Sequence, residues 1–403
     1  MRIGISCVKY GSGSYGGVQI FLNSYIKALS SIQKSENEYV LIFNENIDIE
    51  SLSLPYFFKT FKIKKEIEIS IIFRILKRLF KRTFFYKLLP LYYSEEISKQ
   101  LSDLNLDIIH FPSSTFDIPF EFPKECKKII TFHDLQHEYY PEFFSKKELE
   151  FRDRNYKKSL FEADKIISIS NYTSNSIIDK YNIPSSKINT IYESYPHIYN
   201  YKISGKQCEK IKRKYSLPDN FIFYPGNPWP HKNHFRLLQA LTLLYGRDDF
   251  FIPLVLSGVM ESNKNVINEY VKEIKYPSKM LINLGFIPEE EMPVIYFLSK
   301  MLIYPSLFEG FGIPLLEAMV SKCPVVCSKN TSIPEVCGDA AHYIDPMDIN
   351  SIADGIYEVY SNKKLRKNLV NHGFKRSKKF NWSIIIQKYL SLYRETFYQK
   401  IDS

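Results

Sequence analysis

The feature that most constrains the fold is a repeated alternation. Short apolar runs rich in Ile, Val, Phe and Leu are separated by longer helix-like segments from one end of the chain to the other. They fall at 2–8, 39–43, 107–111, 127–132 and 165–169, and again at 221–225, 253–257, 281–286, 301–305 and 324–327. Such alternation predicts α/β architecture with parallel sheets, because a parallel pair needs a crossover long enough to hold a helix. Between the two series lies 196–221, polar, lysine-rich and without a strand pattern. The spacing therefore predicts two doubly wound, Rossmann-like domains, residues 1–200 and 205–380, facing each other across a cleft. Ligands of open α/β sheets sit at the carboxyl ends of strands, so the residues just after each apolar run are the candidates for chemistry.

With 403 residues, 45% hydrophobic and 24% charged, the chain suits two folded domains of ordinary size. The N-terminus runs from Met1-Arg2 straight into a strand pattern, and no apolar run reaches membrane-spanning length, so a cytoplasmic protein is expected. Six scattered cysteines show no Cys-x-x-Cys pair and no Cys/His spacing suited to zinc, which predicts reduced thiols and no metal site. The net charge of +10 is concentrated: ten Lys/Arg between Lys59 and Lys87 face only Glu66 and Glu68. Within that stretch Arg74, Lys77, Arg78, Lys81 and Arg82 share one helical face, and Ile72, Ile75, Leu76, Leu79 and Phe80 cover most of the other. A basic amphipathic helix over 71–84 can lie on an anionic membrane or pack on a core. The first is the expectation here, as a peripheral contact at the inner membrane face. Nucleic acid is not expected, since no binding motif accompanies the charge.

GSGSYGG (11–17) raises a second question. Gly11, Gly13 and Gly16 spell the G-x-G-x-x-G of a dinucleotide turn between a strand-like and a helix-like segment. Lys9 and Tyr10 intervene before Gly11, however, and the next strand ends in Asn44-Glu45, late for a ribose-binding acid. An NAD site, a plain glycine loop, and a loop that presents backbone N–H groups to an anionic or hydroxyl-rich substrate all remain open on these residues.

The segment SLFEGFGIPLLEAM (306–319) is more specific. It follows the apolar run MLIYP, and Pro314 stands where the first turn of a helix begins. Glu309 then sits on the loop at the strand's carboxyl end, and Glu317 inside the next helix. Gly310 and Gly312 allow a close backbone approach to a ligand, and the helix start offers N–H groups to a phosphate. Two carboxylates beside an anion site fit hydroxyl-bearing ligands, a sugar and a ribose.

Glu309-x7-Glu317 in EGFGIPLLEAM, with PVVCS (324–328), SIPEV (332–336) and GDAA (338–341), resembles the donor-site signature of retaining glycosyltransferases of the GT-B fold. The resemblance implies that Glu317 holds the ribose of a nucleotide sugar. Glu309 and the backbone of Gly310, Phe311 and Gly312 would position the transferred sugar. In FIFYPGNPWPHKN (221–233), Gly226 forms the turn and Lys232 matches the family's lysine, placed to meet a diphosphate; His231 departs from its usual arginine. His133, in IITFHDLQHEYYPEFFS (129–145), matches the histidine that contacts the donor sugar near its reacting carbon, while Ser170 and Asn171 in SISNYT read as a helix cap. GSGSYGGVQIFL resembles the family's N-terminal loop, where Gly16 and Gly17 approach donor phosphates and acceptor, and the apolar-striped helix of 381–403 is expected to cross back to the first domain.

The resemblance implies transfer of a hexose, mannose as first choice, from a nucleotide diphosphate sugar to a glycan or lipid-linked acceptor in surface polysaccharide or glycoconjugate assembly. Retention is implied by the family alone. The chain contains no Asp-x-Asp, so no metal and no other cofactor is expected, and Lys232 with the helix start would stabilise the leaving diphosphate. The rivals are a GT-B epimerase, a phosphorylase with pyridoxal phosphate, for which no lysine motif is seen, a nucleotide-sugar-binding protein without turnover, and an NAD oxidoreductase.

Overall fold

The computed structural model describes residues 1–8, 17–44, 54–63, 99–118, 123, 125–200, 202–247, 250–259 and 261–401. The strands form two wholly parallel sheets. The first holds β1 (Arg2–Ser6), β2 (Glu38–Asn44), β3 (Phe58–Ile63), β4 (Ile108–Phe111), β5 (Lys127–Phe132), β6 (Lys165–Ser168) and β7 (Ile188–Thr190), in the order β3-β2-β1-β4-β5-β6-β7. The second holds β8 (Ile222–Pro225), β9 (Leu254–Ser257), β10 (Leu281–Asn283), β11 (Met301–Tyr304), β12 (Val325–Ser328) and β13 (Ala341–Ile344), in the order β10-β9-β8-β11-β12-β13.

Each of the ten apolar runs falls on a strand, and β3, β7 and β13 are strands that the apolar pattern does not reveal. All three lie at a sheet edge. An edge strand covers less core, so its sequence need not be continuously apolar: FKTFKI of β3 buries only its two ends. β10, the remaining edge, is correspondingly shorter than the run 281–286.

The helices that position the site are α1 (Gly17–Ser30), α2 (Asn171–Tyr181), α3 (Gly205–Tyr215), α4 (His234–Arg247), α5 (Ile313–Val320), α6 (Ile333–Cys337), α7 (Lys363–Ser377) and α8 (Trp382–Ile401). The polar stretch 196–221 is therefore not all connection. It contains α3, started by a capping box in which Ser204 and Gln207 satisfy each other's backbone N–H groups.

After the second sheet, α8 returns to the first and packs on α1 and β5. Tyr25 of α1 and Tyr389 of α8 have ring centroids 4.9 Å apart, and the Tyr25 and Tyr393 hydroxyls are hydrogen-bonded. His110 on β4 completes this contact, its Nδ1 2.6 Å from the Tyr393 hydroxyl and its Nε2 2.8 Å from the Thr131 hydroxyl. Burial pushes the His110 imidazole down to about 3, so it is neutral at ordinary pH. Among the described residues no helix is long and apolar enough to cross a membrane. Gly16 and the basic segment with Arg74, Lys77, Arg78, Lys81 and Arg82 lie outside the described residues.

Candidate functional site

Each sheet starts at its centre, winds outward, and returns to the other side of its first strand. In the second sheet that switch falls between β8 and β11, which pair with Leu302 beside Phe223. The crevice beyond their carboxyl ends therefore receives the loop after β8, carrying Gly226 and Lys232, and the loop after β11, carrying Glu309.

The two loops are joined. Lys232 Nζ lies 2.7 Å from Glu309 Oε1 and donates to the Tyr304 hydroxyl at 3.0 Å. Three backbone ties hold the pair in place: Tyr224 donates to the Lys232 carbonyl, Leu307 N–H donates to the His231 carbonyl at 2.7 Å, and Glu309 N–H donates to Thr331 Oγ1 at 3.2 Å. Buried Asn233, in the left-handed region at φ 61°, donates to the carbonyls of Pro305 and Pro346 at 3.0 and 2.7 Å, stapling three strand-end loops together. Burial, the largest single influence, raises the Glu309 carboxyl, but the opposing influences, led by the charge and hydrogen bond of Lys232, together hold Glu309 below its usual value, hence ionised. Burial, then Lys232, push His231 down to about 4, so this position adds no positive charge at neutral pH. An ammonium has three N–H donors, and among the described residues Lys232 gives two of them, to Glu309 and to Tyr304.

Gly312 ends the loop at φ 103°, where a side chain is strained and a Cβ would come within 2.8 Å of Leu315; α5 then starts with Pro314 in its first turn. Glu317 on α5 is only 8% exposed and accepts a hydrogen bond from the Tyr296 hydroxyl at 2.8 Å. Burial pushes its carboxyl up to about 7. Gly226 stands at φ 138° with open space where a side chain would project.

Gly310 departs from the expected use of its missing side chain. The close approach it permits is to the first domain: a Cβ there would lie 2.1 Å from the His133 carbonyl oxygen. Phe311 likewise turns its ring inward, between Tyr192 and Phe380 at 6.0 and 5.8 Å. His133 directly follows β5. Its ring is held by the first domain, Nδ1 3.3 Å from buried Glu193 and Nε2 3.3 Å from the Pro112 carbonyl. Phe21 of α1 meets its edge at 5.6 Å, which brings the helix that starts at Gly17 to the same place. The structure thus gathers His133, Lys232, Glu309 and Gly310 at the meeting of the two domains, with Glu317 on the helix behind them. Glu193, Tyr296 and Tyr304 belong to the same assembly and were not singled out by sequence. Their contacts join residues too far apart in the chain for a local spacing to reveal.

Residues 207–376 match the family model described as "Glycosyl transferases group 1", and residues 57–194 match "Glycosyltransferase Family 4". The chain is 31% identical over 283 residues to the O-antigen chain mannosyltransferase B of Escherichia coli, a match covering 68% of this chain and 72% of that protein. Further relatives from the same organism are longer, and the matches span 26–32% of their length. Sucrose-phosphate synthase from Thermosynechococcus elongatus superposes with TM-score 0.74 at 18% identity, over 99% of this chain and 100% of that one. Anabaena Alr3699/HepE in complex with UDP-glucose superposes with TM-score 0.67 at 16% identity, over 98% and 100%. At such identities the structural likeness is one of fold.

Proposed function

Since the chain belongs to the glycosyltransferases of the GT-B fold, we propose that it moves mannose from a nucleotide diphosphate sugar to a glycan or lipid-linked acceptor, with retention and without a metal. Hexosyl transfer in glycan assembly follows from its relatives. Mannose and the polysaccharide acceptor are taken from the name of the E. coli relative, and the nucleotide-sugar donor from the ligand in the Anabaena structure. The observation that carries the reading is the Lys232–Glu309 pair at the sheet's switch point, set against His133 of the opposite domain.

In this reading the donor's ribose hydroxyls donate to Glu317, and its diphosphate meets the third N–H of Lys232 and the Ile313 N–H at the start of α5, where Pro314 has no N–H and Leu315 N–H already donates to the Gly312 carbonyl at 3.0 Å. Negative charge grows on the departing phosphate and positive charge on the sugar ring as the C1–O bond lengthens. Lys232 stabilises the first and Glu309 the second. The acceptor hydroxyl attacks C1 from the face the phosphate is leaving, the bond's electron pair stays on the phosphate oxygen, and that oxygen takes the hydroxyl proton. The His133 carbonyl against Gly310 closes one end of the site to water. A preorganised ammonium and helix start are the groups a metal-free departure requires, and the absence of Asp-x-Asp supports that assignment.

A mass-spectrometric screen of UDP-, GDP-, ADP- and dTDP-sugars with membrane extract as acceptor source, with and without EDTA, tests the proposal. GDP release from GDP-mannose that depends on the extract and ignores EDTA is expected. Release without acceptor would point to an epimerase or hydrolase, and release abolished by EDTA would remove the metal-free mechanism. The peripheral contact is tested separately: replacing Arg74, Lys77, Arg78, Lys81 and Arg82 by Gln should abolish binding to phosphatidylglycerol vesicles, and unchanged binding refutes it.

A further inference from the structure

The SIPEV stretch has no part in the chemistry above, yet Glu335 reaches across to the other domain. Its Oε1 accepts the Asn171 N–H at 2.7 Å and its Oε2 accepts the Tyr172 N–H at 3.2 Å. Both donors belong to the first turn of α2, where backbone N–H groups have no partner within the helix and the helix dipole is positive. A carboxylate from one domain therefore caps a helix of the other. On its own side Glu335 is anchored by Arg376 of α7, which donates to the carbonyls of Glu335 and Val336 at 2.6 and 2.9 Å.

The same helix start grips the catalytic loop. Ser170, the N-cap of α2, donates its hydroxyl to the Gly310 carbonyl at 2.7 Å, and the Thr173 hydroxyl lies 3.4 Å from both the Gly310 and the His133 carbonyls. Three points thus meet at one helix end: Glu335, the loop that carries Glu309, and the backbone of His133.

We infer that Glu335 is a positioning residue for transfer: seated on the first turn of α2, it holds the two walls of the cleft in the register that sets Lys232 and Glu309 opposite His133. This inference rests on the proposed transfer reaction. Because Glu335 touches neither nucleotide nor sugar in that reading, its loss should slow the chemical step and spare nucleotide affinity. A misplacement of reacting groups by about 1 Å lowers a rate by roughly a hundredfold.

Two variants remove the contact from opposite sides. Glu335→Gln keeps the shape but loses the charge and one acceptor. Asn171→Pro removes the N–H given to Oε1, and proline is tolerated there because Asn171 is the first helical residue and Ser170 before it is extended, at φ −155° and ψ 161°. Asn171→Ala controls for the side-chain amide, which donates to the Tyr192 hydroxyl at 2.9 Å. The readouts are kcat for transfer from GDP-mannose, calorimetric affinity for GDP, and hydrogen exchange of the Tyr172 amide. In Glu335→Gln and Asn171→Pro, kcat should fall about ten- to a hundredfold while GDP affinity stays within about threefold, with Asn171→Ala close to wild type. The double variant should be no slower than the slower single one, because both remove one contact. Tyr172 exchange should accelerate in Glu335→Gln.

Rates within twofold of wild type, a parallel loss of GDP affinity, unchanged exchange, or additive effects would each overturn the inference. Absence of transfer by the wild type from every nucleotide sugar would remove the proposed reaction and this role together. Normal wild-type transfer with unaffected variants would remove the role alone.

Discussion

Gly310→Ala is the sharpest perturbation the structure offers. The added methyl would stand 2.1 Å from the His133 carbonyl oxygen and 3.1 Å from both the His133 carbonyl carbon and Asp134 Cβ. The atoms in the way are mostly backbone, so no side-chain rotation relieves the contact. Carbon and oxygen settle no closer than about 3 Å, so the loop and the end of β5 must separate by roughly 1 Å. The loop cannot simply turn aside, because Ser170 holds its carbonyl at 2.7 Å. Backbone conformation is not the issue, since only glycines 226, 258, 285, 312 and 338 among those described have positive φ. The cost of overpacking is about 1–3 kcal/mol, and a 1 Å error in alignment costs about a hundredfold in rate, or about 2.7 kcal/mol. Steady-state transfer from GDP-mannose beside GDP calorimetry reads both. The expected result is kcat down about a hundredfold, GDP affinity nearly unchanged, and a melting temperature lower by several degrees. Transfer within twofold of wild type would show that the contact between Gly310 and His133 does not set the alignment.

Three other perturbations follow from the same geometry. Lys232→Met strips the buried Glu309 of its cation; kcat should fall by about two to three orders of magnitude and stability by about 3 kcal/mol, and a rate loss under fivefold would sink the role given to Lys232. Burial lifts Glu317 to about 7, so if its carboxylate accepts ribose hydroxyls, GDP affinity should rise as pH passes from about 6 to about 8. Calorimetry across that range on wild type and Glu317→Gln checks this: the variant should keep only the change due to the terminal phosphate of GDP, which ionises at about pH 6, the wild type should rise more steeply, and equal profiles remove the ribose assignment. His110 stays neutral in the fold to about 3, whereas the unfolded chain takes up its proton below about 6.5. Its contribution is therefore present above that value and fades as pH falls, by about 1.4 kcal/mol per unit. Urea melts between about pH 7 and 4 should show His110→Gln with a shallower slope than wild type, and equal slopes would contradict the burial argument.

The centre of each sheet was legible because buried parallel strands must be apolar on both faces, as in IIHF of β4 and MLIY of β11. The edges were not, since INT of β7 and FKTFKI of β3 answer to solvent on one side. The capping box that opens α3 was present in the sequence as Ser204-Gly205-Lys206-Gln207, and the polar composition around it masked the signal. In the candidate site, His133, Lys232 and Glu309 could be read because each lies on the chain that leaves a strand's carboxyl end, His133 immediately after β5 and the other two on the loops after β8 and β11, and strand ends are where such folds bind ligands. The groups that hold them could not. Glu193 reaches His133, Tyr296 reaches Glu317 and Glu335 reaches Asn171 through tertiary contacts, and an isolated carboxylate in YESYP or SIPEV looks like any solvated acid.

The return of α8 to the first sheet means that the chain passes between the domains twice, once after β7 and again before Trp382. The two passages are tied side by side: the Ser194 hydroxyl donates to the Phe380 carbonyl, and the Tyr192 and Phe380 rings sit 5.5 Å apart. A single tether would let one body swivel and twist against the other. Two parallel straps behave like the leaves of a door hinge, leaving swing about one axis and resisting torsion. Any opening confined to that axis would bring Gly310 back to the same spot against His133 on closing, an alignment that a single tether would not preserve.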